Sequence, residues 1–250
     1  MNLDTVIVER EKKTIYRSGN LCAKVFDESF SKADILNEAL NQARIEETGL
    51  AIPGVVEVRK FDGKWGIVSD FIEGETLFSL MEKDPRKNDE RLELFVDLQI
   101  DVHSRNAPLL TKLKDKMHRK ISETKFDLAT RYELYTRLES MPTHTKVCHG
   151  DFSPGNIIIN REGKAYVLDW SHATQGNASA DVARTYLLFC LRDSLRGLAD
   201  KYMTLFCEKT KTDKRYIQKW LPIVAASQSV KDKPEEREFL SKWVDVVEYE

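Results

Sequence analysis

His149-Gly150-Asp151-Phe152-Ser153-Pro154-Gly155-Asn156, running on into Ile157-Ile158-Ile159, governs how the rest of this chain is read. A second acid follows thirteen residues beyond Asn156, in Val167-Leu168-Asp169-Trp170. The order is an acid, an amide five residues later, an apolar strand, a short turn, and an acid closing a second strand. That order suits phosphoryl transfer. Nucleotide phosphates need a divalent cation, and hard Mg²⁺ favours carboxylate and amide oxygens. An acceptor hydroxyl needs a separate carboxylate to orient it and take its proton. Asp151 is the expected base, and Asn156 and Asp169 are the expected metal ligands. The plain alternative is a Gly-Pro turn between two elements, where Asp and Asn are common for their turn chemistry alone. The second acid at matching distance weighs against it.

The eukaryotic-type kinase signature has the same order, H-x-D-x-x-x-x-N and then an aspartate beyond a hairpin. Here Gly150 replaces its arginine, and Leu168-Asp169-Trp170 stands where D-F-G would be. In that form the chain resembles the aminoglycoside phosphotransferase and choline kinase family of small-molecule kinases. The resemblance implies a bilobal α+β fold of the protein-kinase kind, an ATP and Mg²⁺ requirement, and a small-molecule hydroxyl acceptor. It also implies a lobe boundary near residue 73, with a nucleotide-binding N-lobe over 1–73 and a C-lobe over 74–250.

Composition bounds the alternatives. At 250 residues the chain is long enough to bury a substantial core, and 41% hydrophobic with 32% charged residues suits a globular protein. A formal net charge of −2 gives no electrostatic case for nucleic acid or anionic membrane. Apolar runs fall short of the roughly 20 residues that span a bilayer. Met1-Asn2-Leu3-Asp4 shows no basic start followed by an apolar run, so a cytoplasmic protein is expected. Cys22, Cys148, Cys190 and Cys207 lack C-x-x-C spacing, which argues against zinc and disulfides. Cys148, in Lys146-Val147-Cys148, reads as a packed thiol on a short strand.

The first third reads as strands at Val6–Val8, Leu21–Phe26, Val55–Phe61 and Lys64–Phe71, with turn signals at Ser18-Gly19-Asn20 and Asp62-Gly63. One helix interrupts, opened by Ser31-Lys32-Ala33-Asp34 and stopped by Gly49 and Pro53. Leu36, Leu40 and Ala43 predict its apolar face, with Glu38 lying off that stripe. Strand alternation puts Lys24 beside Cys22 and Phe26, an apolar face on which an ammonium needs an anionic partner. In the resembling family a strand lysine contacts the α/β-phosphates and a helix glutamate pairs with it. Lys24 and Glu38 take those positions by resemblance, and Asp70, Phe71 and Ile72 take that of the hinge whose backbone binds adenine. The glycine-rich phosphate loop of many kinases is missing: Glu9-Arg10-Glu11-Lys12-Lys13-Thr14 holds no glycine, and Lys12, Lys13 or Thr14 are the side chains left to cover phosphate.

Beyond residue 73 helices are expected. Asp89–His103 is apolar almost all round, with His103 packed at its end. Lys112–Lys120 is basic, with Leu113, Met117 and Ile121 spaced to face a core, so a solvated basic face is expected there. Gly176-Asn177-Ala178-Ser179-Ala180-Asp181 resembles the family's G-x-x-x-x-D, which implies that Asp181 braces the catalytic loop; by its position it could equally cap a helix starting near Val182. His149 is expected to brace as well. Three helices are expected over 182–207, 213–227 and 234–250. Glu235, Glu236, Asp245, Glu248 and Glu250 are the candidate carboxylates for a cationic acceptor. Only twelve positions separate Asp169 from Asp181, and no A-P-E follows, so the chain lacks the activation segment of a protein kinase. The other class to consider is a catalytically silent nucleotide-binding module. Retention of Asp151, Asn156 and Asp169 together argues for an enzyme.

Overall fold

A computed structural model describes residue 3 and residues 5–244. Asp245, Glu248 and Glu250 therefore lie outside the described residues. In chain order the elements are β1 (Thr5–Arg10), β2 (Lys13–Ser18), β3 (Leu21–Phe26), α1 (Lys32–Glu46), β4 (Val55–Phe61), β5 (Lys64–Asp70), β6 (Gly74–Thr76) and α2 (Leu77–Lys83). They continue as α3 (Asn88–Ser104), α4 (Leu113–Ser122), α5 (Leu128–Ser140), β7 (Lys146–Cys148), β8 (Ile157–Asn160), β9 (Ala165–Val167) and β10 (Thr174–Gly176). The last are α6 (Ala178–Leu191), α7 (Asp193–Arg196), α8 (Ala199–Thr210), α9 (Lys214–Gln218), α10 (Leu221–Ser229) and α11 (Pro234–Val244). The described residues form two compact units, one of those up to 83 with 154–172, the other of 84–153 with 173–244.

The first unit is built on an antiparallel sheet in the order β1-β2-β3-β5-β4. Asp62 and Gly63 both take positive φ (48° and 87°), the conformation a two-residue hairpin loop needs between right-twisted strands. β2 was not among the strands expected; only the two-residue turn Glu11-Lys12 separates it from β1. One sheet face buries Ala23, Val25, Phe61 and Val68. The other packs Phe26 and Ile67 against Ile35 and Ala39 of α1. Ser31 caps α1 by accepting the Asp34 N–H at 3.1 Å.

The expected apolar face of α1 is corrected here. Leu36 and Leu40 are exposed, while Ile35, Glu38, Ala39, Asn41 and Ile45 are buried. β6, β8 and β9 make a second, three-stranded sheet. Gly74 is required in it: a Cβ there would fall 2.2 Å from the Ile159 carbonyl oxygen.

The second unit is mainly helical. Phe95 of α3 meets Phe152, Phe189 and Tyr202 at ring-centroid separations of 4.7, 5.4 and 5.7 Å. α3 buries one face rather than all round, since Leu94 is exposed. α4 buries Leu113, Met117 and Ile121 at the expected spacing. The single helix expected over 182–207 is instead α6, α7 and α8, and 213–227 divides into α9 and α10. Arg192, extended at ψ 114°, ends the first, and Pro222 opens α10 where its missing N–H costs nothing.

Candidate active site

Four charged side chains converge within the first unit. The ammonium of Lys24 on β3 donates to Glu38 Oε1 on α1, and its Nζ lies 3.0 Å from Asp169 Oδ1. Lys13, at the start of β2, reaches Asp169 Oδ2 at 3.4 Å. Ser171 Oγ donates to Asp169 Oδ1 at 2.9 Å. The backbone explains the meeting. Strand alternation turns Lys24 to the α1 side, and α1 packs on the short 3₁₀ turn Trp170–His172 that follows Asp169. Asp169 adopts φ 61°, a left-handed conformation that aspartate tolerates better than most residues.

Burial and neighbouring charge shift three of these groups. Burial opposes the charged form of Lys24, but Asp169 and Glu38 outweigh it and hold the ammonium above its usual range. Burial opposes the Asp169 carboxylate too, yet Lys24 and Lys13 keep it well below the ordinary carboxylate range. Lys13 moves the other way. Burial and the nearby Lys24 lower it, more than Asp169 and Glu38 restore.

These residues line a cavity of about 330 Å³ in the same unit. Its wall also includes Asp70, Phe71 and Ile72, Asn156, Cys22 and Ile67. The Asp70 N–H donates to Gly54 O at 3.0 Å and the Phe71 N–H to Asn20 O at 2.8 Å. Both of these N–H groups are thus engaged by the protein's own backbone. Asp169 supplies an ionised carboxylate and Asn156 an amide oxygen, hard donors suited to Mg²⁺, which takes one or two protein oxygens and completes its shell with phosphate and water. Among the described residues no three His, Cys, Asp or Glu side chains cluster as a metal site. The donor set therefore fits a cation brought in with its nucleotide, not one held by protein alone.

The loop 149–153 belongs to the second unit, where one face of α6 holds it. Asp181 accepts the N–H groups of His149 (3.1 Å) and Gly150 (2.7 Å). Arg184 Nε donates to Gly150 O at 3.2 Å, and Thr185 Oγ donates to Phe152 O at 3.2 Å. Gly150 has φ 78°, where a side chain would be strained. His149 Nδ1 accepts the Asp151 N–H at 3.2 Å, and His103 Nε2 lies 3.0 Å from Asp181 Oδ2. Burial would raise Asp181, but His103, His149 and the Gly150 N–H keep it ionised below its ordinary value. The helix cap is Asn177, which accepts the Ser179 N–H at 3.0 Å, so Asp181 is left for the loop. Asp151 itself is half-buried, with Arg184 Nη2 at 3.5 Å from its Oδ1. Cys148 is fully buried and its thiol pushed up, a packed side chain.

Sequence reasoning missed Arg184, Thr185 and Gln99. The signal was present as Asp181, Arg184 and Thr185, polar residues at i, i+3 and i+4 on an otherwise apolar helix. Gln99 joins them, donating to Thr185 Oγ at 3.1 Å and accepting from Tyr202 OH at 2.5 Å.

The family model described as the phosphotransferase enzyme family matches residues 10–209. A search of curated protein sequences gave no match. Among solved structures, a thermostable mutant of aminoglycoside phosphotransferase APH(4)-Ia in ternary complex with AMP-PNP and hygromycin B is 16% identical, with a TM-score of 0.66 over 96% of this chain and 89% of that one. Aminoglycoside-3'-phosphotransferase of type VIII is 14% identical, with a TM-score of 0.67 over 93% and 94%. Choline kinase LicA from Streptococcus pneumoniae is 15% identical, with a TM-score of 0.64 over 98% and 93%. At these identities the likeness shows the fold: an antiparallel sheet with one helix, then a mainly helical remainder, the class the sequence led one to expect, with β2 as a fifth strand.

Proposed function

Because the chain belongs to the phosphotransferase enzyme family, we propose that it is a small-molecule kinase that moves the γ-phosphate of ATP to an acceptor hydroxyl. The observation that carries this reading is the Lys24–Glu38 pair meeting ionised Asp169 in one cavity. Two cations beside a carboxylate at the end of a partly apolar slot suit a triphosphate with its base inserted. The neighbour solved with AMP-PNP and hygromycin B is consistent with that use of the fold.

Adenine would enter against Asp70, Phe71 and Ile72, taking Ile72 N–H and a carbonyl, and the hinge near residue 73 would mark the functional boundary of the nucleotide-binding region. Lys24 would turn to the α/β-phosphates, steadied by Glu38, and Lys13 would cover the phosphates where glycine backbone is lacking. Asn156 and Asp169 would hold Mg²⁺, which supplies positive charge to the phosphates when bound. Asp151 would accept the acceptor's hydroxyl proton as that oxygen bonds to the γ-phosphorus. The bond from phosphorus to the bridging oxygen breaks, and ADP departs with the electron pair. His149, Asp181, Arg184 and Thr185 would keep the base in place.

No described helix is long and apolar enough to cross a membrane, and a cytoplasmic setting, where ATP is plentiful, suits the reading. The test is a coupled ADP-release screen with Mg-ATP across hydroxyl compounds, with a no-acceptor control. Acceptor-dependent ADP that vanishes in Asp151→Asn supports the enzyme. Tight nucleotide binding with no acceptor-dependent ADP would instead indicate a silent binding module.

A further inference from the structure

Arg184 presents three nitrogens, and each meets a different partner. Nε donates to Gly150 O at 3.2 Å, Nη1 donates to Gln228 Oε1, and Nη2 lies 3.5 Å from Asp151 Oδ1. A guanidinium is planar and rigid, so fixing two of its corners aims the third. Gly150 and Asp151 both belong to the loop that Arg184 steadies. Of the three partners, Gln228 on α10 alone lies outside that loop. It gives the guanidinium an anchor independent of the chain the guanidinium holds.

Gln228 is only 2% exposed, and the other buried residues of α10 are aliphatic or proline. A buried amide needs partners at both its ends. Its Oε1 takes the Arg184 N–H, and its Nε2 donates to Glu236 Oε2 on α11 at 2.5 Å. Glu236 Oε1 in turn accepts from Lys233 at 2.9 Å. This fixes the amide one way round: turned over, its NH₂ would face the guanidinium and its oxygen the carboxylate. Glu236, a candidate carboxylate for a cationic acceptor on sequence grounds, is thus engaged within the fold. The run Glu236, Gln228, Arg184 ends on Asp151, the carboxylate assigned to the acceptor's proton.

We infer that Gln228 is a positioning residue for that base: held by Glu236, it sets the Arg184 guanidinium so that its third corner faces Asp151. The last helix, α11, thereby takes part in building the site. The consequence for turnover rests on the phosphotransferase reading; the effect on the Asp151 carboxylate does not.

Carbon-13 NMR of the full chain, labelled at its aspartate carboxyls and assigned with Asp151→Asn, follows the titration of Asp151. Arg184→Met should move that titration up by about one pH unit or more, since a close opposite charge favours the ionised form. Gln228→Leu keeps the guanidinium but leaves it unaimed, and should move the titration in the same sense by roughly half a unit. His149 and Lys231, which also bear on Asp151, are unchanged in these variants. In ADP release with an acceptor found by the screen, Gln228→Leu should lower kcat about tenfold and leave the KM for ATP within about twofold. Combined with Arg184→Met, it should add nothing further to either readout. Glu236→Ala, on the half-buried first turn of α11, should repeat the Gln228→Leu effects in milder form, and it stands in if Gln228→Leu does not fold. A lowered melting temperature with titration and kcat unmoved would make Gln228 a packing residue and overturn the inference, as would equal shifts with and without Arg184. If no acceptor yields ADP, the kinase reading falls, while the titration still decides whether Gln228 aims Arg184. A parent that turns over, with Gln228→Leu altering neither readout, keeps the kinase and removes the positioning role.

Discussion

Asp169 and Asp151 are the same residue type in opposite surroundings. Asp169 is clamped by two ammonium groups and a hydroxyl, while Asp151 is half-buried with one guanidinium near. Their substitutions should therefore fail differently. Asp169→Ala should weaken Mg-ATP binding by at least about tenfold as well as turnover, since the phosphate charge loses its counter-ion. Asp151→Asn should leave nucleotide affinity nearly intact while kcat falls about 10²–10⁴-fold, and Asn156→Ala should resemble a milder Asp169→Ala. Calorimetry beside a steady-state assay measures both quantities; full activity in Asp151→Asn would remove it as the base. A double-mutant cycle of Lys24→Ala and Glu38→Ala on kcat/KM should show coupling of about 0.5–3 kcal/mol, and additive losses would sink the pairing. Lys13→Ala should raise the KM for ATP and exposed Lys12→Ala should not. Lys116 bears on stability. It titrates near 7 when folded against an ordinary value of 10.5, with Arg184, Arg119, Lys120 and Asp181 around it. Below pH 7 both states hold the proton and the folded chain bears the cost of burying it. From about pH 7 to 10.5 the unfolded chain holds more protons, so this contribution to stability rises with pH. Lys116→Met should thus gain over the parent most at about pH 6.5 and least at about pH 9.5 in urea melts. A constant gap between the two proteins would contradict it.

Single elements show why parts of the chain were readable and others were not. The hairpin that follows the stretch 149–156 was legible because a turn, a strand pair and the residues between them are all local. α1 was legible as a helix, through Ser31 and Gly49, but not in its orientation. Its buried face carries Glu38 and Asn41 beside Ile35, Ala39 and Ile45, so polar residues broke the apolar period. Leu36 and Leu40 then offered a cleaner stripe that faces solvent. Ile35→Ala should accordingly cost about 2–5 kcal/mol in denaturant melts, and Leu40→Ala within about 0.5 kcal/mol. Similar losses at both would restore the first assignment. α6 hid its function for a related reason. Asp181 was marked by resemblance, but Arg184 and Thr185 gain meaning only from loop carbonyls more than thirty residues away in sequence.

At the scale of the molecule, the lining of the cavity at Lys24 belongs wholly to one unit, and Arg184 beside Asp151 to the other. Mg-AMP-PNP should therefore slow hydrogen exchange first in β3, α1, β5 and the segment 156–169. α4, α5 and α9 to α11 should change little. Nucleotide protection confined to α9–α11 would place the site elsewhere. The first unit also has a history written into its connectivity. Lys24 meets Asp169 across 145 positions, and residues 84–153 of the other unit intervene before its last segment. On the ribosome, at roughly 5–20 residues per second, the sheet would wait about 4–14 s for those 70 or so residues to be made. Through that interval Lys24 has Glu38 but no Asp169, and β6 lacks its partners β8 and β9. The cluster of Lys24, Glu38 and Asp169 is thus a late product of synthesis, and if it serves a nucleotide as proposed, a nascent chain released before residue 169 should bind none, however well its sheet has formed.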